Sequence, residues 1–228
     1  MKIYPISDVK IDLAAIEKIA GGELKLELSP SAVSKIKNCR NYLDEKIKSS
    51  STPIYGVTTG FGSLYNQTIA AADQGLLQNK LVQSHACGTG DEVPAKVIKL
   101  MLFLKIQALS FGYSGVTLQT VNRLIDFYNH DILPVVFQQG SLGASGDLAP
   151  LAHLALPLLG LGEVYFKGEK MASSKIVELM NWDPIQLQSK EGLALLNGTQ
   201  FMSAYGITCI LKALRLFKQA ELIAAMSL

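Results

Sequence analysis

Gly140 to His153 read Gly-Ser-Leu-Gly-Ala-Ser-Gly-Asp-Leu-Ala-Pro-Leu-Ala-His, and this stretch holds the residues whose types and spacing could do chemistry. Three readings compete. In the first, Ser145 or Asp147 caps a helix that begins with the apolar run at Leu148 and has Pro150 near its start. In the second, Ser145 is a nucleophile with His85 or His153 as its base. The hydrolase elbow needs G-x-S-x-G, however, and Asp147 stands where the last glycine belongs. In the third, the chain builds its own electrophile. The amide nitrogen of Gly146 approaches the carbonyl carbon of Ala144, since glycine has no Cβ to block the approach. Cyclisation expels one water and gives an imidazolone. Loss of the Ser145 hydroxyl as a second water leaves an exocyclic methylidene, formed in a strained loop.

Other stretches could converge on this one. Pro53 to Gly62 reads as a short strand running into a glycine-rich loop that carries Tyr55. Its glycines fit neither G-x-G-x-x-G nor a Walker A, which excludes nucleotide binding. Ala70 to Ala86 reads as a helix with Leu76, Leu77, Leu81 and Val82 on one side, and His85 sits at its end, where a histidine is ordinarily a cap or a packed residue. Glu191 to Leu196 leads into Asn197-Gly198-Thr199.

The remaining elements form the frame. Asp12 caps a short helix that ends at Gly21-Gly22, and Leu24 to Leu28 alternates like a strand. Ser29-Pro30 starts a helix with the period Val33, Ile36, Cys39, Leu43 and Ile47. Ser34 to Lys37 matches S-x-x-K, but without S-D-N or K-T-G it reads as a solvated helix face. The helix after Pro94 is apolar on most sides and therefore central, and Thr117 caps the next. Ile132 to Val136 is extended, Glu163 to Met171 is a hairpin around Lys167-Gly168, and Ser173 or Ser174 caps a short helix. From Gln200 the helical period runs to Leu228 with no stop signal, which predicts a pattern that continues in a longer unit.

Composition narrows the function classes. The 228 residues are 49% hydrophobic and 18% charged with a net charge of +2, which fits a well-buried globular chain and argues against a nucleic acid partner. The longest uncharged apolar stretch, Leu148 to Gly162, is short of a membrane span and is broken by Pro150, His153 and Pro157, which argues against a membrane. Cys39, Cys87 and Cys209 are odd in number and far apart, as expected of free thiols in the cytoplasm. His85, His130 and His153 lack ligand spacing, so no metal site is expected.

The long motif from Gly140 to His153 resembles the signature of the aromatic amino acid ammonia-lyases, which carry a methylidene-imidazolone (MIO) group. Three further stretches match in the family's order: Tyr-Gly-Val-Thr-Thr-Gly-Phe-Gly from Tyr55, Ser-His-Ala-Cys-Gly-Thr-Gly from Ser84 and Leu-Leu-Asn-Gly-Thr-Gln from Leu195. The Ser84-His85 pair looks like the histidine-type members, where tyrosine-type members tend to carry His-Leu and phenylalanine-type members Phe-Leu. The resemblance implies elimination of ammonia from L-histidine to give trans-urocanate, the first step of histidine catabolism. It implies MIO formed autocatalytically from Ala144, Ser145 and Gly146, no dissociable cofactor and no metal. Tyr55 would be the general base, His85 would hold the substrate imidazole, and Asn197 would bind near the ring carbonyl or the substrate carboxylate. A tyrosine or phenylalanine lyase or an aminomutase is the alternative within the family. A non-enzymatic helical interaction fragment is the alternative outside it.

The implied fold is mainly α, helical and lyase-like, with a few short N-terminal strands and one small β-hairpin. Residues 1–228 would be the N-terminal MIO-bearing region, and residues 200–228 the start of a central helix bundle. Family members are longer, form homotetramers and draw further site residues from the part beyond this chain. The resemblance thus implies that this polypeptide alone is inactive or nearly so, with an apolar helix face exposed and prone to self-association.

Overall fold

The computed structural model describes residues 2–50, 52–140 and 145–228. Strand β1 (Lys2–Ile6) and strand β2 (Leu24–Leu28) pair in parallel, Lys2 opposite Leu24 and Ile6 opposite Leu28, and helix α1 (Leu13–Ala20) crosses between them. Asp12 caps α1 through its side chain, which accepts from the Ala15 amide. Helix α2 (Pro30–Ser49) starts from the Ser29 cap with proline in its first turn. Strand β1 has no counterpart in the sequence reading. It carries Pro5 and buries fully only Ile6, so its existence depends on its partner β2 rather than on its own pattern.

Pro53 to Tyr55 is not a strand. The amides of Val57 and Thr58 both donate to Ile54 O, and the Thr58 and Thr59 hydroxyls accept from Ile54 N and Gly56 N, which closes a tight turn. A run that looks β-prone is thus folded back by hydroxyls that compete for its backbone. Helix α3 (Gln74–His85) follows a single 3-10 turn at Ala71–Asp73. Its buried face is Gln74, Gln78 and Val82, while Leu76 is exposed. The glutamines are buried because they have work inside: Gln78 Oε1 accepts from Leu193 N, and Gln74 Oε1 accepts from the Ser189 hydroxyl.

Strand β3 (Thr89–Glu92) leads to helix α4 (Ala95–Ser110), the centre of the molecule. It buries Val97, Ile98, Leu100, Met101, Leu102, Phe103, Ile106 and Leu109, as its all-round apolar sequence requires. Helix α5 (Leu118–Asn129), capped by Thr117, packs on it. Strands β4 (Leu133–Pro134) and β5 (Phe137–Gln139) come next, and β5 pairs antiparallel with β3. Helix α6 (Leu148–Ala155) runs into a 3-10 turn at Leu156–Leu159. The hairpin of β6 (Glu163–Phe166) and β7 (Glu169–Ala172) turns at Lys167-Gly168 as expected and takes β4 as a third strand.

Helix α7 (Ser173–Leu179) begins at Ser173 after Ala172, without the expected serine side-chain cap. Helix α8 (Glu191–Leu196) is followed by helix α9 (Gln200–Ser227), which lies against α4 along its first turns. Further along, Ile210, Leu214, Leu216, Phe217, Leu222, Ile223 and Met226 are exposed. The fold is mainly α with short strands, as expected.

Candidate active site

Tyr55, His85, Ser145 and Asn197 line one cleft of about 570 Å³, together with Phe61, Tyr113, Ser114, Leu148 and Lys190 among others. Of the residues singled out in the sequence, Ala144 lies outside the described residues.

The Tyr55 wall is a turn resting on glycines. Gly56 has φ of +68°, which strains any residue with a Cβ, and a Cβ there would come 2.8 Å from Leu193 Cδ2 of α8. The phenol is mostly exposed; its oxygen accepts from Gly62 N at 3.3 Å, and its ring meets Phe61 edge to face. His85 ends α3. Its Nδ1 lies 2.9 Å from Leu81 O and 3.1 Å from the Ser84 hydroxyl. With Nδ1–H assigned as the donor to Leu81 O, Nε2 is left as an acceptor.

The opposite wall is the turn that carries Ser145 and Gly146. Ser145 is exposed to the cleft. Gly146, with φ of +93°, forms a parallel bridge with Gly198, and a Cβ on it would collide with the Gly198 carbonyl oxygen. That carbonyl accepts from Asp147 N at 3.0 Å. Asp147 precedes α6, but its side chain makes no cap bond there; it accepts instead from Met202 N in the first turn of α9. The local-cap reading of Asp147 is thus corrected: the carboxylate serves the positive end of a different helix.

Asn197 ends α8. Its amide N and its Nδ2 both donate to Leu193 O, at 3.0 and 2.9 Å. The second Nδ2 hydrogen and Oδ1 remain for the cleft. His153, weighed above as a base for Ser145, is not among the cleft's residues. Its Nε2 accepts from Gly88 N at 2.9 Å, and burial pushes the imidazole below its ordinary pKa, as suits a neutral acceptor. His153 is thus engaged by Gly88, and the elbow reading loses one of its two candidate partners.

Two buried charges that the sequence reading passed over hold α8. Glu191 is fully buried at its start. Oε1 accepts from Thr117 N, Thr117 Oγ1 and Thr120 Oγ1, and Oε2 accepts from Gln188 N, at 2.7–3.0 Å. Lys105 of α4 lies at its end, with Nζ donating to Asn197 O at 3.0 Å and Ala194 O at 3.3 Å. Burial pushes its ammonium down to about 7, opposed by the charge of Asp147. A lysine set within the apolar run Leu100 to Ile106 was the signal available for Lys105. For Tyr113 and Ser114 it was the flanking pair Gly112 and Gly115, both at positive φ.

Residues 11–228 match the family described as aromatic amino acid lyase. The chain is 48% identical over 199 residues to the histidine ammonia-lyase of Bacillus thuringiensis (strain Al Hakam), covering 87% of this chain and 39% of that protein. It thus spans about two fifths of the length of the curated relatives it matches. Among solved structures, the phenylalanine aminomutase of Pantoea agglomerans superposes with a TM-score of 0.88 at 30% identity, over 96% of this chain and 42% of that one. The histidine ammonia-lyase of Trypanosoma cruzi gives 0.83 at 30% identity, over 93% and 41%. Fold, motif order and sequence agree, and the chain belongs to the aromatic amino acid lyase family.

Proposed function

We propose that this chain is the ring-bearing part of a histidine ammonia-lyase, which converts L-histidine to trans-urocanate and ammonia. The observation that carries the reading is the meeting of Tyr55, His85, Ser145 and Asn197 in one cleft, in a chain nearly half identical to histidine ammonia-lyases. Ala144, Ser145 and Gly146 are the residues that would form the methylidene-imidazolone. The fit is supported at Gly146, where the neighbouring carbonyl leaves no room for a Cβ, and at Ser145, which opens to the cleft. The group supplies an electrophile that makes the substrate amine a better leaving group.

The chain's own residues do the rest. Tyr55 takes a proton from the substrate Cβ; that C–H bond and the Cα–N bond break, a Cα=Cβ bond forms, and the nitrogen leaves as ammonia. The Gly62 amide fixes the phenol oxygen for this transfer. His85 Nε2, left as an acceptor, takes a hydrogen bond from the substrate imidazole N–H. The second Nδ2 hydrogen of Asn197 serves the ring carbonyl or the substrate carboxylate. The likeness to a phenylalanine aminomutase supports the competing reading within the family, at lower identity.

Among the described residues no helix is long and apolar enough to cross a membrane. The free Cys39, Cys87 and Cys209 support a cytoplasmic enzyme, and the apolar outer surface of α9 supports a homo-oligomer, a tetramer as in the family.

Intact mass tests the chemistry. The purified chain should be lighter than its sequence by two waters, and Ser145→Ala should restore the full mass. An unmodified mass for the unsubstituted chain would sink the reading. In the assembled enzyme, ammonia should be released from L-histidine far faster than from L-tyrosine, and the reverse preference would overturn the substrate assignment.

A further inference from the structure

Lys105 is almost fully buried in the central helix, where an apolar side chain of similar length would avoid the cost of desolvating an ammonium. Its hydrogen bonds show where that cost is offset. Nζ donates to Ala194 O and Asn197 O, carbonyls at the C-terminal end of α8, where a cation also meets the negative end of the helix. Asn197 O belongs to the Asn197–Gly198 peptide, so the Lys105 donor restrains that peptide at the end of α8. The next carbonyl, Gly198 O, accepts the Asp147 amide and occupies the space that a Cβ on Gly146 would need. Two hydrogen bonds, joined through the backbone of Gly198, therefore run from Lys105 to Asp147, two positions after Ser145.

We propose that Lys105 is a positioning residue for ring formation: by holding the end of α8 through Ala194 O and Asn197 O it keeps the Gly198 segment seated against Gly146 and so supports the Ser145–Gly146 turn for cyclisation. It touches no reacting atom and acts through the backbone of Gly198. The proposal rests on the reading that this turn becomes an electrophile. It goes beyond that reading by assigning this support to a residue of α4, remote in sequence from the turn.

The experiment compares the unsubstituted chain with Lys105→Met, which keeps the length and loses the donor, and Lys105→Arg, which keeps charge and donors. Two quantities are read at unchanged far-UV circular dichroism: the two-water mass deficit as a function of time after synthesis, and hydrogen exchange of the Asp147 amide. Lys105→Met should form the ring at least tenfold more slowly and exchange the Asp147 amide at least tenfold faster, while Lys105→Arg should restore both. Should Lys105→Met fail to fold, Lys105→Leu, which likewise has no donor, is read in its place with the same expectations. Ring formation and Asp147 exchange at the unsubstituted rates in a folded Met or Leu variant would overturn the proposal. An unsubstituted chain without the deficit would instead sink the electrophile reading, and Asp147 exchange would still judge Lys105 on its own.

Discussion

The two walls of the cleft are built on opposite principles. On the Ser145 side, the described residues that flank the turn are tied to other elements by hydrogen bonds. Asp147 N bonds to Gly198 O, Met202 N bonds to the Asp147 carboxylate, and α8 is tied at one end by Glu191 and at the other by Lys105. On the Tyr55 side the phenol is 57% exposed and held by one 3.3 Å bond from Gly62. The difference suits the chemistry proposed for each wall. Closing a strained ring from backbone needs surroundings that over-determine the turn. A base that meets an incoming substrate needs access to the cleft, and a lightly held side chain provides it.

Breaking the firm wall should therefore cost most. Glu191→Ala removes the acceptor for four donors at the junction of α8 and α5, and should destabilise the fold by about 3–5 kcal/mol in urea denaturation. A loss under 1 kcal/mol would show that the junction does not depend on this carboxylate. Gly146→Ala comes next. It forces a Cβ onto Gly198 O at positive φ, and should cost roughly 2–3 kcal/mol and abolish the two-water deficit. A full deficit in this variant would mean that the Gly198 contact plays no part in shaping the turn.

The third effect depends on pH. The Lys105 ammonium titrates near 7 in the folded chain and at the ordinary lysine value when unfolded. Between those values the unfolded state binds a proton that the folded state has shed, so this group's contribution to stability rises with pH and is lost as pH falls through about 7. The slope approaches about 1.4 kcal/mol per pH unit. The neutral amine keeps enough N–H donors for both carbonyls, so the positioning contacts survive the titration. His153, whose pKa is lowered, adds stability that is present above its ordinary value and lost only at lower pH. Urea denaturation at pH 7.5 and 9 separates the two: the rise should be present in the unsubstituted chain and absent in Lys105→Met.

The smallest effect belongs to the other wall. Tyr55→Phe should change stability by no more than about 0.5 kcal/mol and leave the mass deficit intact, while lowering turnover in the assembled enzyme by at least about 100-fold. A Tyr55→Phe chain that fails to form the ring would erase the distinction between the walls.

The sequence made some of this plain. Asp12, Ser29 and Thr117 are local caps, each followed by a helical period, and the helices they start lie where that pattern puts them. Tyr55, His85, Ser145 and Asn197 stood out because they fall in long motifs kept in a family's order. Glu191 and Lys105 did not, because their partners are up to 92 residues away and periodicity carries no record of them. The glutamine face of α3 was hidden for the same reason. The turn at Tyr55 was misread because Ile54, Val57 and Thr58 have the composition of a strand, and only the bonds of Thr58 and Thr59 reveal the fold-back.

The bond from Met202 to Asp147 anchors α9. The helix is 28 residues long, about 42 Å at 1.5 Å per residue, and its first turn is pinned by the carboxylate two positions after Ser145. The exposed apolar surface at the far end of α9 and the turn that carries Ser145 are thus joined through one continuous helix.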